Sequence, residues 1–100
     1  MSLPSYTFLT QLYQLPFVQT VYLYGSRARG DHQPRSDIDI AVLAPDISTQ
    51  DWQRVLDIIE DADTLLPIDC VHYDMIQNQG LRYNINREKQ VLYAKPNSTP

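Results

Sequence analysis

The sequence predicts an α/β domain, and three observations predict it. Runs rich in β-branched, aromatic and aliphatic residues at 17–24, 38–43, 68–73 and 90–94 read as strands. Between the second and third of them Trp52, Val55, Leu56 and Ile59 recur at i, i+3, i+4 and i+7, the spacing of one face of a helix. Glycine and proline fall at the changes of period, as Pro16, Gly25, Pro34 and Pro67 do, and so separate the elements.

Taken in order, residues 4–15 place Tyr6, Leu9, Leu12 and Tyr13 on one side of a short amphipathic helix that Pro16 ends. A strand over 17–24 follows and breaks at Gly25, where the backbone must turn. Ser26 to Arg29 has room for one helical turn before Gly30, and residues 31–36 form a polar loop. In the next strand the period of two sets Asp37 and Asp39 on one face and Ile38, Ile40 and Val42 on the other. Ser48 or Thr49 is placed to cap the helix that contains Trp52, a residue expected in the core. The third strand, 68–73, carries Asp69, Val71 and Tyr73 on one face and Ile68 and Cys70 on the other. A last helix starts near Gly80 and leads to a strand at 90–94. The expected organisation is one domain over residues 1–95 and a polar tail over 96–100.

Composition narrows the function classes. One hundred residues hold one core, and 43% hydrophobic with 20% charged residues is ordinary for a folded globular chain. No apolar run reaches the roughly 20 residues that cross a bilayer, and the N-terminus lacks a secretory pattern, so a cytoplasmic location without membrane contact is expected. The single cysteine, Cys70, excludes an intramolecular disulfide and a thiolate zinc site. A net charge of -4 argues against direct nucleic-acid binding through a basic face. Yet three of the eight basic residues, Arg27, Arg29 and Arg35, cluster around the glycine turn, whereas residues 46–63 hold six acids against Arg54 alone. That acidic segment reads as a solvated helix face.

The chemistry concentrates in Tyr24-Gly25-Ser26-Arg27-Ala28-Arg29-Gly30 and Ser36-Asp37-Ile38-Asp39-Ile40. A glycine-serine turn after a strand aims backbone N–H groups at a phosphate, and carboxylates spaced two apart hold the hard cations that accompany phosphates. An Asp-x-Asp alone is common and usually marks an exposed strand edge. Here, however, the apolar face of the strand is fully committed, and two like charges in line call for a cation between them. Asp69, an acid in an apolar run, is either a strand-end residue at a turn or a third carboxylate for the same site. His72 and His32 lack a second histidine at ligand spacing and are left outside it.

Gly25-Ser26, ten further residues, then Asp37-x-Asp39 within Ser36-Asp37-Ile38-Asp39-Ile40-Ala41-Val42 resembles the signature of the polymerase-beta-like nucleotidyltransferase superfamily. The Gly-Ser-Arg-Ala-Arg-Gly wording and the ending Asn86-Arg87-Glu88-Lys89-Gln90-Val91-Leu92-Tyr93 are most similar to minimal nucleotidyltransferases of the MntA type, antitoxins encoded with HEPN toxins. The resemblance implies a small mixed sheet flanked by helices on one face, with a nucleotide across the other. It implies that Gly25 and Ser26 hold the triphosphate of ATP, with Arg27 and Arg29 neutralising phosphate, and that Asp37, Asp39 and Asp69 bind two Mg²⁺ ions. Asp69 would also help to remove the proton of the acceptor, a tyrosine hydroxyl on the HEPN toxin, a ribonuclease silenced by receiving AMP. Two alternatives stay open: an antitoxin that works by occlusion without turnover, and nucleotidyl transfer to a small molecule.

Overall fold

The computed structural model describes residues 6–96. Its elements are α1 (Thr7–Gln14), β1 (Thr20–Tyr24), α2 (Ser26–Arg29), β2 (Ile38–Leu43), α3 (Thr49–Glu60), β3 (Ile68–His72), a 3₁₀ turn (Tyr73–Met75), α4 (Gln79–Glu88) and β4 (Gln90–Ala94). The four strands form one sheet in the order β3-β2-β1-β4. β1 runs antiparallel to both β2 and β4, and β2 runs parallel to β3, so the sheet is mixed as expected. The parallel β2–β3 pair needs a crossover, which α3 supplies, and a second one through α4 carries the chain from β3 at one edge to β4 at the other.

Strand alternation decides the layering. Val21 and Leu23 of β1 and Ile38, Ile40 and Val42 of β2 turn to one side and are fully buried there with Phe8, Leu9 and Leu12 of α1 and Val55 of α3. Burying each such aliphatic side chain contributes roughly 1.5–3 kcal/mol, which makes this face the main source of stability. The opposite face carries Tyr24 and Ala41, buried with Ile85 of α4, while Tyr22, Val71, Tyr73, Ile76 and Leu81 pack around them. Helices therefore cover one face through α1 and α3, and α4 crosses part of the other. The resemblance implied a sheet flanked by helices on one face, as α1 and α3 do, while Leu81 and Ile85 give α4 an apolar stripe that matches the small Ala41 on the second face.

Local signals account for the element ends. Asp51 N–H donates to Ser48 Oγ at 3.0 Å, so Ser48 caps α3, and Leu81 N–H donates to Asn78 Oδ1 at 3.0 Å at the start of α4. Tyr6 provides no side-chain cap for α1. Asp63 does so from across the chain, accepting from Thr7 N–H at 3.0 Å and Phe8 N–H at 3.2 Å, and these bonds hold its carboxyl below the usual carboxylate range. β1 begins later than the expected residue 17 because Leu15, Pro16 and Phe17 form a turn, closed where Val18 N–H meets Leu15 O at 3.1 Å. Tyr73 leaves β3 for the 3₁₀ turn. The first helix was expected from residue 4 and the tail over 96–100; residues 1–5 and 97–100 lie outside the described residues. Among the described residues no helix is long and apolar enough to cross a membrane.

Candidate active site

At the end of β1 the chain turns through Gly25, whose φ of 73° and ψ of -157° suit glycine and few other residues. The missing side chain matters as much as the dihedral. A Cβ at Gly25 would collide with the Asp39 carboxylate, whose Cγ would stand only 3.1 Å away. The turn and the acid are thus packed against each other. Ser26 opens α2, a single turn that Gly30 closes in the left-handed region at φ 90°, its N–H reaching Ser26 O at 2.9 Å.

The carboxylates are brought together by register. Tyr24 pairs with Asp39 across the antiparallel β1–β2 ladder, and Asp39 pairs with Asp69 across the parallel β2–β3 ladder. Residues in register share a face, so Tyr24, Asp39 and Asp69 form a row across three strands. Asp37 lies one residue before β2, exposed, two residues along the chain from Asp39 and beside the row. Burial, then the charges of Asp69 and Asp37, push the Asp39 carboxyl up to about 6, against a smaller opposing pull from Arg29 and Arg27. A carboxylate whose ionisation is opposed by burial and by two neighbouring acids in this way is favoured by a nearby cation.

Tyr24 completes the row. Its buried hydroxyl donates to Asp69 Oδ2 at 3.4 Å, and burial followed by the charges of Asp69 and Asp39 raise its pKa, so it remains a donor. Cys70 points to the helix-covered face, where burial pushes its thiol up to about 12 and removes it from consideration as a ligand. His72 is also absent from the row: it stacks on Trp52 with ring centroids 4.6 Å apart, and its Nε2 lies 2.9 Å from Ala44 O. Trp52 packs against the core, as its helical position predicts.

The arginines are engaged by the protein itself. Arg27 is buried and spans back to the polar loop, its Nε donating to Ser36 O at 3.2 Å and its terminal nitrogen to Ser36 O at 3.1 Å and Pro34 O at 3.3 Å. Arg29 is more exposed and pairs with Asp31 at 3.1 Å and Glu88 at 3.0 Å. Glu88 also accepts the N–H of Gly25 at 3.2 Å. Sequence reasoning assigned roles to neither Tyr24 nor Glu88. Glu88 carried one legible signal: it is an acid in the last turn of a helix, where the macrodipole favours a cation.

The residues present fit magnesium. The row offers oxygen donors only, and the void at Gly25 leaves the Asp39 carboxylate room beside the turn. Among the described residues no three His, Cys, Asp or Glu side chains are grouped closely enough to hold a metal ion unaided. Mg²⁺ characteristically takes one or two carboxylates and fills its octahedron with phosphate oxygens and water, so a nucleotide would complete such a site.

A family model described as "Polymerase beta, Nucleotidyltransferase" matches residues 9–98 of this chain. No curated protein sequence matches it. Among solved structures, the chain is similar to a toxin-antitoxin with AMP-PNP, at 24% identity and a TM-score of 0.61 over 89% of this chain and 73% of that one. It is similar to a mutant of the toxin-antitoxin MntA-HpeT, at 26% identity and a TM-score of 0.62 over 88% and 71%. A third likeness is to a tri-AMPylated Shewanella oneidensis HEPN toxin in complex with MNT antitoxin, at 23% identity and a TM-score of 0.59 over 87% and 67%.

Proposed function

Since the chain belongs to the polymerase beta nucleotidyltransferase family, we propose that it is an antitoxin that transfers AMP from ATP to a tyrosine hydroxyl of a cognate HEPN-type toxin. The observation that carries the reading is the carboxylate row Asp39–Asp69, with Asp37 beside Asp39, set against the Gly25-Ser26 turn. The likeness to complexes of HEPN toxin with MNT antitoxin supports the choice of acceptor.

In this reading the Gly25-Ser26 turn receives the triphosphate. Arg29 stands at its rim, and Arg27 adds positive charge from behind without leaving the carbonyls of Pro34 and Ser36. Asp37, Asp39 and Asp69 would hold Mg²⁺, which when bound would supply positive charge to offset the charge that develops on the transferred phosphoryl group. The acceptor oxygen forms a bond to the α-phosphorus, the bond from that phosphorus to the bridging oxygen breaks, and pyrophosphate leaves with the electron pair. The hydroxyl proton passes to Asp69, whose Oδ2 is already steadied by Tyr24.

The test is incubation of the purified chain with ATP labelled on the α-phosphate, Mg²⁺ and its cognate HEPN protein. Label on the HEPN protein, lost in the Asp37→Asn, Asp39→Asn variant, is the expected result. Absence of label, with the double variant neutralising the toxin as well as the unaltered chain, would overturn transfer in favour of occlusion.

A further inference from the structure

Glu88 sits where a helix least favours an acid and is nonetheless almost enclosed. It is the last residue of α4, beside the free carbonyls of the helix C-terminus, and its side chain is only 9% exposed. Both conditions oppose a carboxylate unless it has partners that need it. Two of its partners belong to the glycine turn and α2, Gly25 N–H at 3.2 Å and Arg29 at 3.0 Å, and the third, Arg87 at 3.4 Å, is its neighbour on α4. Two residues on, Gln90 Nε2 donates to Ala28 O at 2.7 Å, so the α4–β4 junction grips α2 at two points. Gly25 is thereby held between two acids, Asp39 against its Cα and Glu88 on its N–H.

We propose that Glu88 is a positioning residue for the nucleotide: its carboxylate fixes the Gly25 turn against Asp39 and holds Arg29 at the rim, so that turn, arginine and carboxylate row keep one spacing. This inference rests on the nucleotidyltransferase reading given above. It also assigns the Gly25 N–H to the protein's own scaffold, leaving Ser26 and Arg29 to meet phosphate.

Glu88→Gln keeps shape and an acceptor for Gly25 but turns an amide donor or a neutral oxygen toward Arg29. Glu88→Asp keeps the charge and withdraws it from the turn. Binding of a non-hydrolysable ATP analogue with Mg²⁺, measured by calorimetry at a temperature well below each variant's melting point, should weaken roughly tenfold or more in Glu88→Gln, the scale of one charge-assisted hydrogen bond. Glu88→Asp should show a smaller loss in the same direction, and it carries the test if Glu88→Gln does not fold. Unchanged affinity in a folded variant, even with a lowered melting point, would reduce Glu88 to a structural residue and overturn the proposal. Tighter binding would also overturn it, since Glu88 would then be a competitor of the nucleotide. If the unaltered chain binds no analogue, the nucleotidyltransferase reading itself fails, whatever Glu88 does.

Discussion

The two faces of the sheet are made from the same strands by opposite rules. On the face under α1 and α3, β1 and β2 present only aliphatic side chains, fully buried among one another. On the other face the same strands alternate to Tyr24, Asp39 and Ala41, and β3 adds Asp69. Its cations lie over aromatic rings, Lys89 at 5.0 Å from the Tyr22 ring centre and Arg82 at 4.8 Å from that of Tyr73. One face holds the molecule together, and the other holds charges that the fold would be more stable without. Strand alternation thus lets one small sheet carry an apolar core on one face and grouped carboxylates on the other.

That contrast can be broken or sharpened by substitution. The largest effect is expected on the acidic face: Asp39→Asn should lower the rate of AMP transfer by about a thousandfold, roughly 4 kcal/mol in the barrier, while the melting temperature holds or rises. Transfer is read with labelled ATP and melting by circular dichroism. On the covered face Ile40→Ala should do the reverse, costing about 2–5 kcal/mol in urea denaturation while any molecules still folded retain their affinity for nucleotide. Gly25→Ala stands between the faces in kind. Its positive φ and the collision with Asp39 should cost about 1–3 kcal/mol and weaken Mg²⁺-dependent nucleotide binding together.

The smallest effect concerns pH. Asp39 titrates at about 6 when folded and at its ordinary value of 3.8 when unfolded. The folded chain therefore binds more protons than the unfolded chain between those values, and this group's contribution to stability falls as pH rises through the window. Because the carboxylate is partly solvated, about 1 kcal/mol is expected after screening. Urea denaturation at both ends of the window should show that loss in the unaltered protein, relative to Asp39→Asn. Mg²⁺ with nucleotide should oppose the loss by favouring the ionised form.

Much of this was legible in the sequence, because period and spacing are local. Asp37 and Asp39 share a face by alternation along one strand, but alternation along 68–73 leaves open whether Asp69 faces the same way; its place beside them came from the resemblance, and the β2–β3 register sets it opposite Asp39. Ser48 as the cap of α3 and the helical run through Trp52 were equally local. Contacts made between distant segments were not legible. Asp63 caps a helix 56 residues away, and Glu88 reaches Gly25 across 63 residues, distances at which composition carries no pairing information. Arg27 shows the other gap. Its place beside the turn was evident, but its commitment to the carbonyls of Pro34 and Ser36 depends on the path of a loop that has no period.

The parallel pairing of β2 with β3 carries a consequence for the order of folding. β1 and β2 are antiparallel neighbours in the chain, and their contacts close a short loop. Asp69 arrives only after α3 has docked and the longer crossover has closed, the kind of nonlocal step that slows assembly. A nascent chain that has paired β1 with β2 already has the Gly25 turn, Asp37 and Asp39 in place but lacks Asp69 beside them. Completion of the crossover is therefore also the step that groups the three carboxylates of the proposed site, and a partly folded chain carries only two of them.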